Sequence, residues 1–164
     1  MSDLIRDEKK INIVVFTLSG QHFAVDVKCV REVLMFREIS PVPKTPEFIE
    51  GVIDLRGHII GIVDLRKYFD LNSRQINKDT RIIITRIKDA LLGIIVDSVL
   101  KVVDLDEQKL ENAPEVVSSQ INNDVIAGVA KINEKMTIVL DLASVLSDKE
   151  IKHLLQVRRR KING

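Results

Sequence analysis

Apolar residues along this chain gather in short runs, each bounded by polar or turn-forming positions. They are INIVVFTL (11–18), FAVDV (23–27), RIIIT (81–85), LLGIIV (91–96) and the paired runs inside GVIDLRGHIIGIVDL (51–65) and GVAKINEKMTIVLDL (128–142). Runs this short and this rich in Ile and Val predict β-strands. Ser19 and Gly20 supply a turn after the first run, and Phe23, Val25 and Val27 alternate with Ala24 and Asp26 as a half-buried strand would. Residues 28–36 fit a helix or a strand. Pro41, Pro43 and Pro46 are too dense for either and predict an extended connection into Gly51.

The two long segments are copies of one pattern. In each, an apolar run enters a polar tip, at residues 54–58 and 131–135, a second apolar run leaves it, and Asp-Leu with a short helical signal follows, LRKYF in one and LASVL in the other. Each copy predicts a β-hairpin. A second pair, FAVDVKCVREVL (23–34) and LGIIVDSVLKVV (92–103), precedes the hairpins in the same order. The chain therefore reads as two similar β-rich halves, and the polar segment LNSRQINKDT near residues 71–80 is the expected passage between them. RIIIT and LLGIIV surround an expected turn at Lys88 and Asp89, and only about three short helices are expected. Ser147 and Glu150 have capping-box spacing, with Ile151, Leu154 and Leu155 on one face of a C-terminal helix expected to pack on the body.

Composition bounds the function. With 164 residues, 45% apolar and 30% charged, the chain holds one modest core or two small ones. Lys plus Arg number 25 against 24 Asp plus Glu, so the net charge of +1 gives no broad field toward nucleic acid or an anionic membrane. The basic run at residues 158–161 reads as a solvated tail. Cys29 stands alone, which excludes an internal disulfide framework, agrees with a reducing compartment, and leaves it the role of a small buried apolar residue on a strand edge or short helix. The opening MSDLIRDEKK is charged where a signal peptide is apolar, and no run approaches the roughly 20 apolar residues of a membrane span. The expected location is cytoplasmic.

Catalytic signatures are missing. His22, His58 and His153 lie far apart, with no HExxH, paired cysteines, Gly-x-Ser-x-Gly, GxGxxG or P-loop, and there is no tryptophan and one tyrosine. Asp54, Asp64, Asp97 and Asp141 sit at strand ends or hairpin shoulders, where Asp accepts local backbone hydrogen bonds. The expectation is a protein with no catalytic, metal or cofactor site, whose work is to bind other proteins.

The segment TPEFIEGVIDLRGHIIGIVDLRKYFDL (45–71) resembles the CheW adaptor family of bacterial chemotaxis, whose signature is Thr-Pro-x-Phe-Ile-x-Gly-Val-x-Asn-Leu-Arg-Gly followed by a Pro-Ile-Val-Asp-Leu-like strand. The likeness continues through FTLSGQHFAVDVKCVREVL, LGIIVDSVLKVVDL and ENAPE, covering about residues 11–147. Asp54 stands where the family mostly has Asn, Gly61 where Pro is common, and Arg81 where some relatives are apolar.

The resemblance implies a mainly β fold of two five-stranded Src-homology-3-like barrels side by side, with a few short helices including a C-terminal one. It divides the chain into a flexible tail at 1–10, the adaptor domain at 11–147, and a helix with basic tail at 148–164. It implies an adaptor that couples the cytoplasmic tips of methyl-accepting chemoreceptors to the regulatory domain of the histidine kinase CheA, in membrane-associated arrays, with no cofactor, nucleic acid or membrane insertion. The receptor groove corresponds to Val30, Glu32, Arg56, Gly57, Val99 and Val102, and the kinase-facing or ring-forming surface to Val27, Val33 and Val116. An adaptor of another chemosensory array, controlling pili or gliding, fits the same residues. From a different class, a small β-barrel nucleic-acid binder would use residues 158–161.

Overall fold

A computed structural model describes residues 9–72, 75–87, 89–118 and 123–146. The expected C-terminal helix from Ser147, the basic run at 158–161 and Lys88 of the expected turn lie outside them. Ten strands form two five-stranded sheets among the described residues. The first sheet has the order β8 (Ser98–Asp106), β1 (Lys10–Leu18), β2 (Gln21–Asp26), β10 (Lys135–Leu140), β9 (Ile126–Ile132). The second runs β3 (Val30–Met35), β6 (Arg81–Ile87), β7 (Ala90–Val96), β5 (His58–Asp64), β4 (Ile49–Leu55). Residues 28–36, open to either state, form a strand after one 3-10 turn at Val27–Cys29. The short helical signals become α1 (Leu65–Tyr68) and α3 (Leu142–Leu146), and α2 (Glu115–Ser118) lies between. The fold class is the one the resemblance implied: mainly β, two Src-homology-3-like units packed together, with short helices.

The repeat holds strand for strand. Both hairpins occupy equivalent places: β4 and β9 are outermost, and β5 and β10 lie inside them, parallel to β7 and β2. The second pair matches too, since β2 and β3 of the one correspond to β7 and β8 of the other. One part of the expectation needs correction, because the sequence halves are not the sheets. The first sheet takes β1 and β2 from the first half and β8 to β10 from the second, and the segment near 71–80 joins β5 to β6 within one sheet. The chain crosses between sheets at Val27–Cys29 and at Asp97. Pairing between distant strands leaves no local pattern, whereas hairpins do.

Each sheet also bends back on itself. After β3, Ser40 exchanges two backbone hydrogen bonds with Val52 on β4, the far edge of the same sheet (2.9 and 2.8 Å). After β8, Glu111 does the same with Val129 on β9 (both 2.8 Å). Edge strands are thereby covered rather than left as open templates. The approach at Ser40 demands glycine at residue 51, where φ is +139° and a Cβ would lie 2.0 Å from the Ser40 carbonyl oxygen.

Three apolar clusters result. Ile13, Val15, Ala24 and Val139 fill the interior of the first sheet, and Ile60, Ile62, Ile82 and Ile84 that of the second. The largest cluster lies between the sheets and takes the alternate residues of the same strands, among them Val14, Phe16, Phe23, Val25, Ile83, Leu92 and Ile94. Strands apolar on both faces read as continuous runs, which is why β2 is buried on both sides where alternation suggested half-burial. Phe23 stacks between Phe16 and Phe69, at centroid distances of 6.2 and 5.8 Å, and so joins the two sheets. No helix among the described residues is long and apolar enough to cross a membrane.

Candidate functional site

Arg56 and Gly57 form the two-residue turn of the first hairpin, with φ of +51° and +87°. Two-residue turns with both residues left-handed match the twist of paired strands, and Asn133 and Glu134 adopt the same form (+51° and +67°) in the second hairpin. Asp54 serves the first turn by accepting the Gly57 N–H at 2.9 Å, a geometry that an Asn carbonyl would share. An arginine held left-handed is costly in backbone terms. Its side chain, 67% exposed, reaches from the hairpin tip to β3 and donates to Glu32, whose side chain is 27% exposed. The pair thus spans the two edges of the second sheet, and Arg37 adds a bond from beyond β3 to the Asp54 carbonyl oxygen (3.2 Å).

The valines are sorted by two β-bulges. On β8, Val99 lies opposite Phe16 and Lys101 opposite Val15, so Leu100 is the extra residue. Paired residues share a face, so the bulge brings Val99 and Val102, opposite Phe16 and Val14, to the inter-sheet face together. On β3 the extra residue is Arg31, and Val30 and Val33, opposite Thr85 and Ile83, share the inter-sheet face in the same way. Val30 and Val99 pack partly buried on the central core, while Val33 and Val102 stand 42% and 62% exposed. Val33 therefore belongs with Val30 by position, although the resemblance assigned the two to different surfaces. The others of its group lie elsewhere: Val27 packs half-buried on the central core, and Val116 is exposed on α2. Beside Val116 is an open cavity of about 360 Å³, lined also by His22, Val117, Lys135, Met136 and Ile138.

Three of the four singled-out aspartates accept a local backbone N–H, as their positions predicted: Asp54 from Gly57, Asp64 from Arg66 and Asp141 from Ala143 (3.1 Å); Asp97 instead accepts from the distant Ser19 (2.6 Å). Sequence reading missed Arg66, which is 4% exposed and makes a two-pronged bond to Asp64, Nε to Oδ1 and Nη2 to Oδ2, both 2.9 Å. Its Nη1 donates to Asp97 at 2.8 Å. The Asp64 hydrogen bonds raise the guanidinium pKa further, outweighing the burial that alone would lower it. The repeat held a clue, since Arg66 stands where the second copy has Ala143. Arg81, the departure from the family pattern, donates to the carbonyls of Lys78 and Thr80 (2.7 and 3.0 Å). Cys29 is half-buried in the 3-10 turn, and burial first, then Asp26 and Asp141, raises its thiol pKa. No group of His, Cys, Asp or Glu that could hold a metal exists among the described residues.

The CheW-like domain family matches residues 12–150. The chain is 35% identical to the chemotaxis protein CheW of Bacillus subtilis, over 84% of this chain and 87% of that one. It is 33% identical to CheW of Thermotoga maritima, over 88% and 93%. Among solved structures, the scaffolding protein TtCheW from Thermoanaerobacter tengcongensis superposes with a TM-score of 0.76 at 41% identity, covering 82% of this chain and 86% of that one.

Proposed function

Because the chain belongs to the CheW-like domain family, we propose that it couples methyl-accepting chemoreceptors to the regulatory domain of the kinase CheA. It is a scaffolding protein of chemotaxis rather than an enzyme, as its relatives are. What carries the finer reading is the arrangement around β3 and β8: four valines on the inter-sheet faces, two of them well exposed, and, on the other face of β3, Glu32 paired with a hairpin arginine presented at the surface. Apolar residues with a flanking charge suit a helical partner that inserts aliphatic side chains and offers a carboxylate. In this reading Val30, Val99 and Val102 contact the receptor tip with Glu32, Arg56 and Gly57 at one end. Val27, Val33 and Val116 serve the surfaces that meet the kinase domain or a neighbouring adaptor. The protein works in the cytoplasm, recruited to receptor arrays.

The test is co-sedimentation of the full chain with receptor-bearing membranes, with the kinase regulatory domain, and with both. Retention by each partner and more by both together is expected. Retention by neither would overturn the reading.

A further inference from the structure

The two sheets meet through an apolar cluster, and apolar contact is non-directional: it favours burial without fixing one sliding or twisting position over its neighbours. Directional contacts between the sheets are therefore informative. Arg66 is anchored to its own sheet by the two bonds to Asp64 at the end of β5. Its third bond reaches Asp97, the single residue between β7 of the second sheet and β8 of the first. The other oxygen of Asp97 accepts the N–H of Ser19 in the β1–β2 turn of the first sheet at 2.6 Å, and the Asp97 N–H donates to Thr17 at 2.9 Å. Ser19 Oγ in turn donates to the Asn72 carbonyl beyond α1.

The opposite crossover lacks this arrangement. In the aligned repeats Ala143 takes the place of Arg66 and Lys28 that of Asp97, and Val27 and Cys29 pack there on the central core. A buried charged cluster is a poor way to gain stability, because desolvation offsets most of the attraction and apolar replacements often do as well. It is a good way to select one geometry, since a guanidinium fork accepts its partners in few orientations.

We propose that the Arg66–Asp97–Ser19 chain is a clasp that fixes the orientation of one sheet against the other, so that Arg66 and Asp97 act as positioning residues for Val99, two residues beyond Asp97, relative to Val30 on the other sheet. The consequence for receptor binding rests on the adaptor reading; the effect on the sheets does not.

The experiment attaches spin labels to cysteines replacing Lys131 in the first sheet and Arg86 in the second, both exposed, in a Cys29→Ala background, and measures the label distance in the full chain. A single narrow distribution is expected with the clasp intact. Asp97→Ala and Arg66→Met should lose that single peak for a broad one, and Asp97→Asn, which keeps an acceptor for Ser19, should lie between. Should the larger changes prevent folding, Asp97→Asn alone decides. A wild-type distribution in any folded variant lacking the Arg66 to Asp97 charge pair overturns the clasp. Receptor co-sedimentation is run on the same samples: broadened distances without receptor binding even by the wild type would leave the clasp standing and sink the adaptor reading instead.

Discussion

Arg56 carries the sharpest contrast between what a backbone prefers and what a surface uses. Its counterpart Asn133 has the same φ of +51° with a side chain suited to it, so Arg56→Asn should keep stability within about 0.5 kcal/mol of wild type while weakening receptor retention. Arg56→Glu should cost no more than about 1 kcal/mol, since exposed ion pairs are worth about that at most, yet it should lose coupling. Exchanging both partners, Glu32→Arg with Arg56→Glu, restores opposite charges across the sheet edges and should recover part of that loss. Thermal melts beside co-sedimentation separate the two effects; wild-type coupling by Arg56→Glu, or a collapsed melting temperature, would make Arg56 a bystander or a structural residue. Gly51 gives the opposite case, in which the backbone alone decides. Gly51→Ala should destabilise by at least about 1–3 kcal/mol in urea titrations, because both its φ and the Ser40 carbonyl exclude a Cβ. At Cys29 the raised pKa keeps the thiol protonated, so its contribution to stability is complete below the unfolded thiol pKa and is lost as pH rises through the higher folded value. Alkylation of the native protein at neutral pH should accordingly be slow, and should accelerate on denaturation.

At the scale of elements, the sequence revealed what is local and hid what is not. Both hairpins and the helical turns after Asp64 and Asp141 follow from patterns a few residues long and are present, while the polar tips expected at 54–58 and 131–135 narrow to two-residue turns because strand pairing runs on through their polar residues. Residues 28–36 stayed ambiguous because Val27–Cys29 is a helical turn joined directly to a strand, so neither period runs long enough to dominate. Likewise, the bulges at Arg31 and Leu100 are invisible in composition: a bulge adds one residue and reverses which side chains share a face. Without them Val30 and Val33, three apart, would point to opposite faces, as would Val99 and Val102. Core valines and surface valines also look alike in sequence, so the resemblance could name the residues but their exposure came only from the fold. Phe23 shows how firmly the elements interlock. Replacing it by alanine removes the ring that stacks on Phe16 in its own sheet and Phe69 beyond α1, and should cost about 3–5 kcal/mol in denaturant midpoints at unchanged slope.

The whole molecule is a repeat whose two sheets have exchanged strands, and that exchange sets how it must fold. Two tandem copies would each bury their own core, and either could be cut free. Among the described residues β1 and β2 have no strand partners in the first half other than each other: β8 and β10 flank them, and both come from the second half. β3, β4 and β5 likewise need β6 and β7, which supply the centre of their sheet. An isolated two-stranded hairpin is marginal in water, and the central cluster draws on both sheets at once. A fragment ending at residue 72 should therefore show no cooperative melting transition alone, nor should the complementary fragment, whereas an equimolar mixture should regain one transition, read by circular dichroism and by co-elution on size exclusion. Independent cooperative folding of the first fragment would mean that the strand exchange is not needed for stability, and that the sequence halves are self-sufficient units after all. The expected failure has a physical root: every crossing between the halves contributes backbone pairing and apolar burial that neither half can replace from its own residues.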